Sequence, residues 1–111
     1  MQVVPAPLEV TVTPDGVVHA RGRIDVTTVA ELREGLHAVI DALPVSSARR
    51  VVLDVHALDL SDATGLGALL SAHRRAARHG HMLVLRAVPQ PLARLLWRTR
   101  LGRVLHVELA A

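Results

Sequence analysis

From Arg50 to Arg78 the chain reads RVVLDVHALDLSDATGLGALLSAHRRAAR, and this segment predicts a buried strand followed by a helix. Val51–Val55 is short, apolar and rich in β-branched residues, which is typical of a strand buried inside a sheet. Ser61 or Asp62 can cap the helix by accepting its first-turn N–H groups. The helical spacing predicts one inward face, formed by Leu66, Leu69, Leu70, His73 and Ala77.

Two glycines, Gly65 and Gly67, lie in the first turns of this predicted helix. Glycine costs up to about 1 kcal/mol relative to alanine in a helix, so two of them at this place need a reason. One interpretation is that a partner approaches the backbone closely, where the helix dipole also favours negative charge. The other is that the glycines only let the helix pack tightly on the strand.

The rest of the chain predicts a mixed sheet. Leu8–Thr13 and Val17–Ile24 alternate in polarity around a Pro-Asp-Gly turn, which indicates a β-hairpin. Thr28 and Glu31 have capping-box spacing at the start of a helix that ends at Pro44. The predicted inward face of that helix contains Val29, Leu32, Leu36, Val39, Ile40 and Leu43.

After the central helix, Met82–Leu85 predicts another buried strand and Val104–Val107 a last one. Between them lies a helix opened by prolines, with Leu92, Leu95 and Leu96 inward, Arg94 and Arg98 outward, and Trp97 interpreted as core filler. The predicted fold class is α/β: a single domain over residues 8–111 behind a tail of residues 1–7. Its small mixed sheet would combine the hairpin with βαβ crossovers, beside about three main helices.

Composition limits the possible functions. The 111 residues suffice for one domain, and the absence of cysteine excludes disulfides and thiol chemistry. No stretch reads as a signal peptide or a membrane span, so we expect a cytoplasmic protein without membrane insertion. The pI of 11.3 reflects basic residues that are all arginine. The net charge of only +3 does not argue for nucleic acid.

Polar residues near the end of the central strand invite catalytic interpretations. Asp54, His56, Asp59 and Asp62 fit no metal-ligand spacing that we recognise, so neither a metal nor a cofactor is expected. Asp54 resembles the phospho-acceptor of response-regulator receivers, but the required acidic pair and lysine are missing. Arg74, Arg75 and Arg78 are interpreted as a solvated helix face. No Ser-His-Asp arrangement is present in the sequence pattern, and an enzyme is not expected.

The segment Asp62-Ala63-Thr64-Gly65-Leu66-Gly67 resembles the Asp-Ser-Ser-Gly-Leu-Gly motif of the STAS family, the anti-sigma factor antagonists. Upstream, Gly22–Asp25 is similar to the family's Gly-Glu-Leu-Asp, and the likeness runs from about Leu8 to Glu108. The resemblance implies a partner-switching role in transcription regulation, in which the loop and helix start bind an anti-sigma factor that is also a serine kinase. In the family the kinase phosphorylates the first motif serine, which here is Ala63.

The resemblance therefore implies a partner-binding surface but leaves open whether phosphorylation regulates it. The residues expected to form the surface are Asp25, Ser61, Asp62, Ala63, Thr64, Gly65 and Gly67. Thr64 or Ser61 is the alternative phosphorylation site, unless both only cap the helix. Two other functions stay open: an accessory subunit of a membrane lipid-transport ATPase, and a nucleotide- or ligand-sensing domain. The oligomeric state is also open, and the edge strand Leu8–Thr13 permits a dimer.

Overall fold

The computed structural model describes residues 8–44, 50–60 and 62–109, which form a six-stranded mixed sheet and three main helices. The predicted α/β class is therefore confirmed, while the proposed tail of residues 1–7 lies outside the described residues. The strands are β1 (Glu9–Val12), β2 (Val18–Arg23), β3 (Arg50–Asp54), β4 (Leu58–Asp59), β5 (Met82–Val88) and β6 (His106–Leu109). The helices are α1 (Val29–Ala42), α2 (Leu66–Arg78) and α3 (Gln90–Arg98), with 3-10 turns at Ala63–Gly65 and Leu101–Arg103.

The strand order is β1-β2-β3-β5-β6. β1 and β2 form the predicted antiparallel hairpin, with Val12 opposite Val18. β2, β3, β5 and β6 are parallel neighbours, so α1, α2 and α3 are the crossover connections that parallel strands require. Hairpin and crossovers are thus both confirmed, and β1 and β6 form the edges of the sheet that the structure describes.

The short strand β4 is absent from the sequence prediction, which placed a simple connection there. It runs parallel to the end of β2, with Gly22 opposite Leu58 and Arg23 opposite Asp59. The backbone N–H of Ile24 donates to the carbonyl of Asp59 at 2.9 Å. β2 and β4 therefore end side by side, which brings the loop after β2 close to the start of α2.

The core is built from one face of each helix. α1 buries Leu32, Leu36 and Ile40, as predicted. For α2 the predicted face is partly wrong, because Ala77 is exposed and Leu70 and His73 are only half-buried. The buried residues of α2 are Leu66, Ala68, Leu69, Ala72 and Ala76. Small alanine side chains allow α2 to lie close to the sheet and α1, so the buried face is centred on them.

Two other expectations are wrong. Thr28 is at the N-cap position of α1 but makes no side-chain capping bond. Its hydroxyl instead donates to the carbonyl of Arg23 at 2.8 Å and accepts the N–H of Asp25 at 3.0 Å, since the chain turns sharply after β2. Trp97 is not core filler: 85% of its surface is exposed, while its neighbour Leu96 is buried.

The described helices are all too short or too polar to cross a membrane. This finding concerns the helices within residues 8–44, 50–60 and 62–109.

Candidate functional site

The loop between β2 and α1 is organised by the carboxylate of Asp25. Its Oδ1 accepts hydrogen bonds from the backbone N–H of Thr27 at 2.8 Å and from the Thr27 hydroxyl at 2.6 Å. These two bonds, the hydroxyl first, hold the pKa of Asp25 below its ordinary value. Asp25 is therefore ionised at neutral pH, and its position is fixed by the turn that it stabilises.

Asp62 plays a matching role at the start of the second helix. Its Oδ1 accepts the backbone N–H of Thr64 at 2.8 Å and so caps the 3-10 turn that leads into α2. The Thr64 hydroxyl and N–H together hold the pKa of Asp62 below its ordinary value. The predicted capping role of Asp62 is confirmed. Ser61, the other predicted capping residue and possible phosphorylation site, lies outside the described residues.

The two carboxylates are close enough to influence each other. Asp25 and Asp62 lie in the loops that follow the paired strands β2 and β4, and the negative charge of Asp25 acts to raise the pKa of Asp62. Thr64 contributes a hydroxyl to this cluster, but the residue is half-buried and its side chain acts to lower the pKa of Asp62. The arrangement therefore offers acceptors for a partner's cationic or N–H groups rather than a free nucleophile.

The two motif glycines turn out to differ. Gly65 is buried, and a Cβ there would lie 2.9 Å from Cγ2 of Ile24 and still closer to Leu60. Gly67 is exposed, and a Cβ there would meet no atom within 4 Å. Gly65 therefore allows the helix to pack on the strand, as one interpretation held. Gly67 leaves open space above the helix backbone, as the other interpretation requires.

Sequence reasoning did not find Val26, although 81% of its surface is exposed beside Asp25. Val26 follows directly on the motif Gly22–Asp25 and belongs to neither the β2 nor the α1 pattern, which is the signal that could have identified it. Ala63 is also exposed, directly after Asp62. We call the surface formed by Asp25, Val26, Asp62, Ala63 and Gly67 the acidic surface.

The other polar cluster in the sequence is structural. The Asp54 carboxylate accepts the His56 N–H at 2.9 Å and pairs with the Arg86 guanidinium at 3.1 Å. Burial raises the pKa of Asp54, but these two hydrogen bonds outweigh burial and the pKa lies below its ordinary value. Asp54 is thus held by its neighbours, which agrees with the rejection of a receiver-type acceptor. Within the described residues, no three His, Asp or Glu side chains group as metal ligands would.

Of the three arginines predicted to face solvent from the central helix, Arg74 and Arg78 are exposed. Arg75 is half-buried and bridges to α1, where its Nε donates to Oδ1 of Asp41 at 2.7 Å. This contact ties the two helices together and leaves only the exposed pair as a solvated face.

Comparison with known proteins agrees with this architecture. The family model described as "Mlab, STAS domain" matches residues 10–108 of the chain. An anti-sigma factor antagonist from Mycobacterium paratuberculosis superposes with a TM-score of 0.74 at 23% identity, over 95% of this chain and 90% of that one.

Two further solved structures share the fold. An anti-sigma factor antagonist (STAS) domain protein from Planctomyces limnophilus has a TM-score of 0.70 at 17% identity, over 96% of this chain and 92% of that one. The unphosphorylated anti-sigma factor antagonist SpoIIAA has a TM-score of 0.67 at 16% identity, over 90% of this chain and 86% of that one.

Proposed function

The chain belongs to the STAS domain family, and on that premise we propose that it is a regulatory protein-binding module that docks on an anti-sigma factor. The acidic surface is the proposed docking site. The observation that carries this proposal is the exposure of Val26, Ala63 and Gly67 around two ionised carboxylates at the start of α2. We further propose that the protein acts in the cytoplasm and has no catalytic activity of its own.

The geometry supports docking for three reasons. Val26 offers apolar area that no described neighbour covers, as the anchors of protein interfaces do before binding. Gly67 lets a partner's backbone approach α2 closely. Asp25 and Asp62 are held in place by their own turns, so a partner does not have to order them on binding. A basic or N–H-rich partner surface would match this patch.

Phosphorylation control is the part of the family resemblance that this chain does not match. Ala63 occupies the acceptor position and has no hydroxyl, and Thr64, the next residue along the chain, is half-buried. We therefore propose that docking is insensitive to phosphorylation. A partner of the serine-kinase type would bind this protein equally well with ATP and with ADP.

The test is a binding titration against the kinase-type anti-sigma factors of the same genome, with ADP and with ATP, followed by intact-mass analysis. The expected result is saturable binding in both nucleotides and no added phosphate. Ala63→Glu should weaken binding by at least about tenfold, because a larger, charged side chain would replace a methyl group in the packed interface and would have to lose its water. Ala77→Glu is the matched control, since Ala77 is an exposed alanine at the other end of α2.

The variant Ala63→Ser tests whether phosphorylation control can be restored at the position of the family's acceptor. We expect this variant to gain one phosphate with ATP and to lose affinity only when phosphorylated, whereas Ala77→Ser should do neither. A phosphate on the unmodified chain that disappears in Thr64→Ala or Ser61→Ala would overturn phosphorylation-insensitive docking. Absence of binding to every anti-sigma factor would overturn the choice of partner.

A second candidate is an accessory subunit of a membrane lipid-transport ATPase. The same exposed Ala63 favours it, because a subunit that holds a nucleotide-binding partner permanently needs no phospho-acceptor. Co-purification with an ATPase subunit from a neighbouring gene, lost in Ala63→Glu, would support this candidate. The geometry does not favour an anion-binding sensor, since Asp62 already occupies the helix start and a second carboxylate lies nearby.

A further inference from the structure

The surface around Trp97 is distinct from the acidic surface and has no role in the function proposed above. Trp97 is the chain's only aromatic residue, and 85% of its surface is exposed. Leu109 is also exposed, at 64%, and so is Val104, at 47%. A large aromatic side chain left outside the core in a chain otherwise lacking aromatics marks a candidate binding anchor.

Trp97 borders two concave sites. One, of about 390 Å³, is lined by Leu96, Trp97, Arg100, Gly102 and Arg103. The other, of about 350 Å³, lies between α3 and β6 and is lined by Ala93, Leu96, Trp97, Gly102, Val107 and Leu109. Both have room for side chains of a ligand, and the second is mainly apolar. Together with Val104, these lining residues define the Trp97 surface.

The charge of this surface is one-sided. Between Gln90 and Leu109 the chain carries four arginines and one carboxylate, Glu108, which pairs with Arg50. The four are Arg94, Arg98, Arg100 and Arg103, and all are exposed. None of them forms an ion pair with any residue that the structure describes. Unpaired arginines around an apolar groove favour a ligand that brings carboxylates.

The groove runs beside β6, which is an edge strand of the sheet. Its backbone pairs with β5 on one side, and on the other side no strand among the described residues pairs with it. Val107 and Leu109 project from β6 into the groove beside Trp97. An extended peptide that pairs with this edge would therefore place alternate side chains in the groove.

We propose that the Trp97 surface binds an extended acidic segment of a partner protein, which pairs with the outer edge of β6 and places apolar side chains beside Trp97. Its carboxylates would meet the arginines that follow α3. The concave shape favours a polypeptide over an anionic membrane, which needs apolar groups that project into it. Nucleic acid is disfavoured because the chain has no second tryptophan, and no tyrosine or phenylalanine, on which successive bases could stack.

The test begins with a displayed library of random short peptides, selected on the full chain and counter-selected on the Trp97→Ala variant. We expect the enriched peptides to combine an excess of acidic residues with large apolar residues at alternate positions. Trp97 then reports binding directly, since the chain has no other aromatic residue and burial of an exposed tryptophan shifts its emission to shorter wavelength.

The variants distinguish this surface from others. Arg103→Glu should weaken the binding of an enriched peptide by at least about tenfold, because Arg103 lines the concave site on the other side of Trp97, where the carboxylates of the peptide are expected. Arg74→Glu is the matched control, since Arg74 is an exposed arginine on α2, and it should change affinity by less than about twofold. Ala63→Glu should also leave this binding intact, which separates the proposal from docking at the acidic surface.

Several results would overturn the proposal. One is a selection that enriches no peptide, or enriches peptides without acidic residues. Another is an emission shift with phosphatidylglycerol vesicles or single-stranded DNA in place of the peptide, which would assign the surface to lipid or nucleic acid. A shift that grows with protein concentration alone, with a dimer in sedimentation equilibrium, would assign it to a second copy of the chain.

Discussion

The acidic surface and the Trp97 surface are both exposed, but they are built in opposite ways. At the acidic surface the charged side chains are tied down, since Asp25 and Asp62 each accept hydrogen bonds from their own turn. At the Trp97 surface Arg100 and Arg103 form no ion pair with any residue that the structure describes, and the apolar side chains of Trp97 and Leu109 are exposed. The carboxylates of the acidic surface are therefore held in place before a partner binds, whereas the arginines of the Trp97 surface can form ion pairs with carboxylates of a partner.

The largest predicted effect tests whether Trp97 is a surface residue. Leu96→Ala should lower the free energy of unfolding by about 2–5 kcal/mol, because it opens a cavity beneath α3. Trp97→Ala should change it by less than about 0.5 kcal/mol, since the side chain is exposed. Urea denaturation followed by circular dichroism measures both variants, independently of the tryptophan signal.

This neighbouring pair is its own control, because both residues lie on the same turn of α3. A loss of several kcal/mol in Trp97→Ala would mean that the indole packs against the fold. The Trp97 surface would then be part of the core, and the contrast with the acidic surface would disappear.

The next effect tests the two glycines that flank the motif leucine. Gly65→Ala should destabilise the fold by about 1–3 kcal/mol, because its Cβ would crowd Ile24 and Leu60. Gly67→Ala should stabilise it by up to about 1 kcal/mol, since alanine is the better helix former and nothing lies nearby. The same denaturation experiment compares them.

The two glycine variants should also differ in binding. Gly67→Ala places a methyl group on the acidic surface, so it should weaken a partner there while the fold becomes more stable. If Gly67→Ala were instead the destabilised variant, the assignment of Gly65 to packing and Gly67 to the docking surface would be reversed.

The glycines illustrate what sequence can predict in this chain. Apolar periodicity correctly predicted the hairpin, the crossover helices and the inward face of α1, and local chemistry predicted the cap at Asp62. Neither kind of sequence signal could distinguish two glycines that lie in opposite environments. Gly65 is buried because Ile24, distant in sequence, lies against it.

The other differences have similar causes. β4 has two residues, too few to show a period of two. The capping box at Thr28 does not form, because the Thr28 oxygen accepts the N–H of Asp25 and its hydroxyl donates to the carbonyl of Arg23 instead. In α2, alanine gives a weaker hydropathy signal than leucine, so the predicted face was turned away from Ala72 and Ala76. Trp97 and Val26 are exposed although their side chains are apolar, so hydropathy alone predicts the wrong environment for them. Errors of this kind are expected at side chains that serve binding rather than packing.

The smallest predicted effect concerns His73, which links α2 to β6 and so lies between the elements that carry the two surfaces. Its ring centroid is 6.3 Å from that of His106, and its Nδ1 is buried without a hydrogen-bond partner among the described residues. Burial lowers the pKa of His73, and the charges of His106 and Arg74 lower it further. The folded protein therefore resists protonation of this ring more than the unfolded chain does.

The sign of the pH dependence follows from this difference. Below the ordinary histidine pKa of about 6.5, the unfolded chain binds more protons than the folded one, so stability falls as pH falls. The stabilisation that depends on a neutral His73 is fully present above about pH 6.5 and is lost as the pH falls toward the lower pKa of His73 in the folded protein. His37 contributes in the same direction, because burial also lowers its pKa. The carboxylates do not contribute in this range, because Asp25 and Asp62 have pKa values below the ordinary 3.8.

We expect the free energy of unfolding to decline as the pH falls below about 6.5 in the unmodified chain, and to decline less in His73→Leu. His106→Gln should also flatten the decline, because it removes the nearby charge while leaving the burial of His73 in place. His19→Gln is the matched control, since His19 lies on β2 rather than on α2 or β6. An unchanged slope in His73→Leu would place the titration elsewhere, and the two surfaces would then have no pH-sensitive contact between their elements.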